Sequence, residues 1–498
     1  MATAVPAPAD EAGPAGTPSA PRSTPPRRRR RWPPTLAFVL GAGLTVWAAS
    51  IGFGRLSDNS FMTHLATGRL IVGGGGIPQH DPYSFTAHAA PWVVQSWLAS
   101  ILYGWVDKVF GGQGLRVLMG LTTAAIGAMT WRLTRPAKSL VGRIVITGLV
   151  IGVGTAVWSP RPLLIGLLML TVALLAAEGG IPPWVLVPAF WIWVNAHGSF
   201  PLGLAALGAL WLGSLADKRD GRVEGRCLLW ALGGTVLGAV SPLGPTLLIF
   251  PLHLLSRMKV LSNIIEWQSP SFSSGWARLF LLQVLVAVVL LVRRPSYRAA
   301  IPLVVFVAAA LLSQRNIAVA GLVMVPGMAR GFEGLGSLRG DQRSPVSVVL
   351  LGAVALVAAL MVSASLAQPA WDLSTFPVAP VAWMTQQGIT PAAVRMATSD
   401  TTGNYLELLD GAHAHAFIDD RVDMYPAKVV DDYLVLEHAS PGWEQVLDQR
   451  GIDLVLWDRS SPLTGLLSAS AHWRVLYQDK DWAVMCRRGA SLGNGRSC

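Results

Sequence analysis

Eleven apolar runs, nearly free of charge, recur over the first three quarters of the chain: 35–53, 115–133, 140–158, 163–177, 182–196, 199–216, 228–249, 277–292, 299–313, 316–329 and 346–366. A membrane-crossing helix needs about 20 residues, so the shorter runs cross only if flanking residues also sit at membrane depth. After residue 370 the pattern changes to short amphipathic segments. Strands are predicted over 394–399, 414–419, 453–457, 473–478 and 482–487, and helices over 378–387, 402–410, 428–438, 442–450 and 462–470. Gly388, Gly411 and Gly451 stand where helix stops are expected. Alternating strands and helices argue a partly parallel sheet covered by helices.

Composition agrees with this division. The mean hydropathy is +0.47, and 13% of the 498 residues are charged, against about a quarter in a soluble domain. Residues 370–498 hold 16 acids and 10 Lys or Arg, a net of −6, and the first 369 hold 12 acids and 29 bases, a net of +17. Those bases sit at the ends of apolar runs, as the charges that orient a membrane protein do, so the high isoelectric point is no sign of nucleic acid. With the Arg27–Arg31 run inside, the inner connections are 132–143, 178–181, 217–226, 293–298 and 330–344, and four of the five are strongly basic. The expectation is a polytopic α-helical membrane protein of about eleven spans, in three parts. These are a disordered basic, Pro-rich tail (1–34), a membrane region (35–369) with long outer loops over 54–114 and 250–276, and an extracytoplasmic α/β domain (370–498). Cys227, Cys486 and Cys498 match no metal-ligand spacing, and no disulfide is implied.

Within the first 369 residues carboxylates are rare on the outer side, where only Asp58, Asp81, Asp107 and Glu266 fall. Asp58 follows the first span. It suits the N-cap of a helix over 59–72 and equally a base facing a lipid cleft. Asp81, before Pro82, either starts a turn or contacts substrate. Asp107 belongs on the solvated face of an interfacial helix over 92–110. His64 and His80 are candidate metal or phosphate contacts, or plain interfacial histidines. Gly73–Gly76 lack a phosphate-binding fingerprint. Arg161, between Pro160 and Pro162, either snorkels to the surface or lines a polar cavity, where its fork suits phosphate oxygens. Asn195, His197, Arg315 and Asn316 end spans on the same side. Glu266 either pairs with Arg257 or Lys259 or joins that cavity.

Several of these landmarks carry a resemblance. Asp58, His64-Leu65, Gly68, Ile77-Pro78, Asp81-Pro82, Ser84-Phe85-Thr86, Trp92 and Trp97-Leu98 resemble the first-loop signature of a group of bacterial polytopic proteins placed near the GT-C glycosyltransferases. Pro160-Arg161-Pro162, Asn195-x-His197-Gly198, Ser241-Pro242-x-Gly244 and Glu266-Trp267 are similar to its later landmarks. So are Gly403-Asn404-Tyr405-Leu406, the run from Phe417 to Tyr425, the run from Trp443 to Leu447, and Gly451-Ile452-Asp453. The resemblance covers most of residues 35–488. It implies a GT-C-like fold and inverting transfer of a sugar from a polyprenyl-phosphate-linked donor to an envelope acceptor, outside the plasma membrane. Carried over, Asp58 is the catalytic base. His64, His80, Asp81, Arg161, Asn195, His197, Glu266 and Arg315 are candidate substrate contacts. The group's opening carries two acids or an acid and an aromatic residue, whereas Asp58-Asn59-Ser60-Phe61 has one acid. A divalent cation therefore stays open as a cofactor, and a non-catalytic scaffold or carbohydrate-binding protein of the same fold is the alternative. Span midpoints without charges and the lack of an inverted repeat argue against a transporter.

Overall fold

The computed structural model describes residues 1–5, 32–262, 264–335, 342–493, 495, 497 and 498. The basic tail expected over 1–34 lies mostly outside the described residues. Thr35 and Asp58 cap the first two helices, α1 (Leu36–Gly52) and α2 (Asn59–Leu70), by accepting a backbone N–H three residues on. The expected interfacial helix and second span are one run, α3 (Trp97–Leu133), bent at Gly111 with a φ of 63°. Glycine adopts that conformation without Cβ strain. Next come α4 (Leu140–Val157), α5 (Leu163–Ala177), α6 (Leu186–Ala196) and α7 (Phe200–Ala216).

Two expected spans are divided. Residues 228–249 form parts of α8 (Arg222–Leu237) and α9 (Thr246–Ser256), separated by a stretch containing Gly238, Pro242, Gly244 and Pro245. After the single turn α10 (Met258–Leu261) come α11 (Gly275–Arg293) and α12 (Tyr297–Leu312). Residues 316–329 split into α13 (Ile317–Val323) and α14 (Val325–Gly331), since Pro326 has no N–H to continue the ladder. The long α15 (Pro345–Ala367) closes the apolar region. Among the described residues, four helical runs are by length and composition long and apolar enough to cross a membrane: Trp97–Ala137, Leu140–Val157, Gly275–Arg293 and Pro345–Ala367.

Small residues set where α2 lies. A methyl group on Gly68 would overlap the backbone of Ser100 and Gly104, and one on Gly104 would overlap Gly68. Backbone therefore packs on backbone where α2 crosses α3, and α2 is held at the end of the helical bundle. At the opposite end of the bundle, the nearly buried Arg298 holds Glu178 at 2.8 Å and Glu224 at 2.6 Å, joining the ends of α5, α8 and α12.

The C-terminal sheet has strands β1 (Met396–Thr398), β2 (Leu454–Asp458), β3 (Trp473–Gln478) and β4 (Trp482–Arg487), in the order β1-β2-β4-β3. β1 runs parallel to β2, and the other pairs are antiparallel. Helices α16 (Val378–Gln386), α17 (Asp400–Asp410), α18 (Ala427–Glu437), α19 (Trp443–Gln449) and α20 (Pro462–Ala469) accompany it. Strand alternation divides the core: Leu454, Leu456 and Val484 fall in one cluster, Val455, Trp457 and Met485 in the other.

Two expectations are corrected. Residues 414–419 join no strand of this sheet. Ala416 instead exchanges backbone hydrogen bonds with Tyr83 and Phe85 of the first loop, at 3.0 and 3.1 Å. Cys486 and Cys498, for which the sequence implied no disulfide, form one. The α/β unit also shares its cores with the first loop: Met62 enters one cluster, and Ala87 the other.

Candidate active site

Asp58 caps a helix and holds an arginine. Its Oδ1 accepts from Phe61 N at 3.1 Å, capping α2. Arg161 Nε lies 2.9 Å from Oδ1 and 2.8 Å from Oδ2 of the same carboxylate. Pro160 and Pro162 restrict the backbone on either side of Arg161, and Pro162 precedes the first residue of α5. Arg161 Nη1 donates to Glu266 Oε1. One guanidinium thus joins carboxylates from two loops that are far apart in sequence. Arg161 is only 24% exposed as a side chain, and Glu266 37%, so water reaches the Glu266 side more freely.

The Glu266 loop is anchored to the turn before α13. Gln314 N donates to Gln268 O at 2.9 Å, and Ser313 Oγ to Glu266 O at 3.1 Å. That turn carries Arg315, whose Nη2 is 3.4 Å from His197 Nε2 and whose guanidinium carbon lies 5.2 Å from the centre of the Trp267 ring. Among the described residues, no carboxylate reaches ion-pair distance of Arg315. The fold therefore gathers Asp58, Arg161, Glu266, His197 and Arg315. His64 shares their electrostatic field: withdrawal from water, then the charges of Arg161, Arg421 and Arg315, lower its pKa to about 3, so it is neutral at pH 7.

Three other candidates lie elsewhere. His80 is exposed, in a backbone bridge to Pro91. Asp81 is 2% exposed and its oxygens are used: it accepts from Tyr83 N and Ser84 N at 3.1 Å, from the Ser84 hydroxyl, and from Arg421 Nη2 at 2.7 Å. Asn195 is fully buried, taking the Trp97 indole N–H at 2.9 Å and giving to Trp191 O at 2.8 Å and Gly238 O at 3.3 Å. The last two are structural, because a satisfied buried polar group has nothing left for a ligand. Glu266 pairs with Arg161 rather than Arg257, which donates to Tyr425 O. Asp107, expected in solvent, is 13% exposed and bound by Arg69 at 2.8 Å.

The C-terminal unit supplies what the loops do not. Asp420 accepts from Ser60 Oγ and from Asn404 Nδ2, and burial, then the charge of Asp419, pushes its pKa up to about 6. Beside it, Arg421 binds Asp419 through Nε at 2.8 Å, and Tyr425 OH donates to Asp419. Arg421 also lies 4.3 Å from the centre of the Trp92 ring and 4.9 Å from that of Tyr83. Buried Glu407 accepts from the Thr63 hydroxyl. Burial, then Asp419, raises its pKa, while Arg421 keeps Asp419 low despite burial. One proton between the two carboxyls fits both directions. The run Asp419-Asp420-Arg421-x-Asp423 was the visible signal, but its partners in the first loop were not. Among the described residues, no group of three His, Cys, Asp or Glu is placed to hold a metal ion.

His64 and Asp420 have opposite linkage. The lowered pKa of His64 gives stability present above its unfolded value of about 6.5 and lost as pH falls towards 3. The raised pKa of Asp420 gives stability present below about 4 and lost as pH rises through 6. Between pH 7.5 and 5, His64→Gln is expected to flatten the fall in the unfolding midpoint on acidification, measured in detergent. An unchanged slope counts against a neutral native His64.

No protein-family model matches the chain, and no curated protein matches it in sequence. Solved structures do match. One is the archaeal oligosaccharyltransferase AglB from Archaeoglobus fulgidus, in complex with an inhibitory peptide and a dolichol-phosphate. It aligns with a TM-score of 0.52 and 11% identity, over 84% of this chain and 69% of that one. A second is the Archaeoglobus fulgidus oligosaccharyltransferase in the apo form, with a TM-score of 0.51 and 10% identity, over 86% of this chain and 70% of that one. At such identity the likeness is one of architecture, and on it this chain has the GT-C-type fold of those oligosaccharyltransferases.

Proposed function

We propose that the chain is an integral membrane glycosyltransferase, moving a sugar from a polyprenyl-phosphate-linked donor to an envelope acceptor on the outer face of a bacterial plasma membrane. The observation that carries this is the meeting of Asp58, Arg161, Glu266, His197 and Arg315 at one end of an apolar bundle with the GT-C fold. In the proposed step an acceptor hydroxyl attacks the anomeric carbon and Asp58 takes its proton. The bond from that carbon to the phosphate oxygen breaks, and its electron pair leaves with the phosphate. Arg161, Arg315 and His197 meet the charge that grows there, and fixed dipoles and charges of this kind are usually the largest catalytic contribution. Glu266 orients Arg161.

Further support comes from the surface. Val349 is 72% and Leu360 60% exposed on α15, an outward apolar face that suits lipid. We place eleven spans, tail inside and residues 370–498 outside. The basic connections favour this orientation, and the Cys486–Cys498 disulfide suits an oxidising compartment. Reporter fusions at residues 220 and 490 should read opposite sides, and a cytoplasmic signal at 490 overturns the arrangement. The deciding experiment compares lipid-linked sugars and envelope glycans in cells with and without this protein. Loss of one glycan with accumulation of one lipid-linked sugar is the expected outcome, and unchanged pools reject transfer. A second reading, a non-catalytic scaffold of the same fold, draws on one observation: the cap and Arg161 already engage both Asp58 oxygens.

A further inference from the structure

We propose that the guanidinium of Arg161 is the built-in cation of this site: it fills the place between Asp58 and Glu266 that a divalent metal would need, and releases Asp58 when a donor phosphate binds it. The first half stands on geometry alone, and the second rests on the glycosyltransferase reading.

Two carboxylates from separate outer loops point at one spot, an arrangement that ordinarily invites a divalent cation with oxygen ligands. Here that spot holds Arg161, with Nε on both oxygens of Asp58 and Nη1 on Glu266. A metal would need those oxygens at about 2.0–2.6 Å, and it cannot reach them while the guanidinium is between them. A second guanidinium, that of Arg315, stands beside the same place, over the Trp267 ring and against His197. The residues present therefore do not fit a metal, and Arg161 supplies the positive charge in its stead.

The sharing of one guanidinium by two carboxylates also makes a switch. A phosphate brings oxygens that match the guanidinium fork better than the single nitrogen now shared by two carboxylate oxygens. As Arg161 turns to it, together with Arg315, Asp58 loses its ion-pair partner but keeps its cap on α2. Its carboxylate is then able to accept the proton of an incoming hydroxyl. The base is thus freed only when the donor is in place, which protects the donor from idle hydrolysis.

The test uses the full-length protein in detergent, with Mn²⁺ and undecaprenyl phosphate as separate probes. Without Arg161 the paired carboxylates are left facing each other, so Arg161→Ala should acquire a saturable Mn²⁺-dependent rise in unfolding midpoint that wild type lacks. Arg161→Ala combined with Asp58→Asn should lose it. Undecaprenyl phosphate, followed by tryptophan fluorescence, should bind Arg161→Ala about tenfold or more weakly than wild type. Should Arg161→Ala not fold, Arg161→Gln, which keeps polar bulk without charge, is read in the same way. Saturable Mn²⁺ binding by wild type, or no gain in either variant, overturns the built-in cation. If the Mn²⁺ gain appears while phosphate binding is unchanged, the cation stands and the release of Asp58 by phosphate falls. Neither arm requires sugar transfer, so failure here is distinct from failure of the glycosyltransferase reading.

Discussion

Asp58→Asn is expected to lower sugar transfer by about 100-fold or more while leaving the protein in the membrane at nearly its normal level. A sugar hydroxyl is a weak nucleophile at neutral pH, and general-base assistance contributes about 10²–10⁴-fold. Asparagine caps a helix about as well as aspartate, so the bond to Phe61 N that starts α2 survives. The substitution leaves Arg161 paired with Glu266, so the guanidinium is not stranded. What disappears is the basicity. Glu266→Gln is the comparison, because it touches the same guanidinium from the more open side. Arg161 keeps its bond to Asp58 in that variant, and loss of the more exposed of its two ion pairs is worth about 1 kcal/mol, so the effect on transfer should stay within about fivefold. Asp107→Asn loosens only the pair with Arg69 and should leave transfer unchanged. Rates are measured with a lipid-linked sugar and membranes carrying equal amounts of each protein. Full activity in Asp58→Asn with none in Glu266→Gln would move the base to Glu266.

Local rules carried most of the architecture. Apolar runs without charge marked the helices of the bundle, and short segments alternating with amphipathic helices marked β2, β3 and β4. Failures occurred where a distant segment decided the outcome. Residues 414–419 have strand character, yet their backbone partner is the 83–85 segment of the first loop, more than 300 residues away, and no local pattern announces it. The divided span at 228–249 was legible in principle, since Gly238, Pro242, Gly244 and Pro245 were in view. Hydropathy outweighed them there. The site was legible as residue types but not as pairings. Arg161 drew notice as an intramembrane-edge arginine between prolines, and Asp58 as a rare outer acid; the ion pair joining them depends on the bundle. Asp81 and Asn195 drew the same notice for the opposite reason, since a polar residue kept for structure in an apolar setting looks the same in sequence as one kept for chemistry. Only a completed set of hydrogen bonds separates the two.

Arg421→Ala is expected to cost about 3–5 kcal/mol, the range for removing one partner of a buried ionic cluster. Arg421 meets Asp419 at 2.8 Å and Asp81 at 2.7 Å, with Glu407 at 3.7 Å, and each of these acids is buried. Alanine leaves the acids facing one another without a counter-charge. It also removes the guanidinium from the faces of Trp92 and Tyr83, where a cation contributes about 0.5–2 kcal/mol. Since Asp81 belongs to the first loop and Asp419 to the C-terminal unit, the loss falls on the joint between them. Limited proteolysis should therefore cut within 79–92 or near 420 before the helical bundle is touched, and the first unfolding transition should move down. Arg421→Lys should recover little, because one ammonium cannot serve several carboxylates and lie flat on two rings. Adding Asp81→Asn to Arg421→Ala should return part of the stability by removing one stranded charge, a non-additivity that a double-mutant cycle reads directly. Strictly additive losses would mean that Arg421 acts through packing alone, and that the first loop and the C-terminal unit are held together by Thr63, Asn404 and the Ala416 backbone pairing instead.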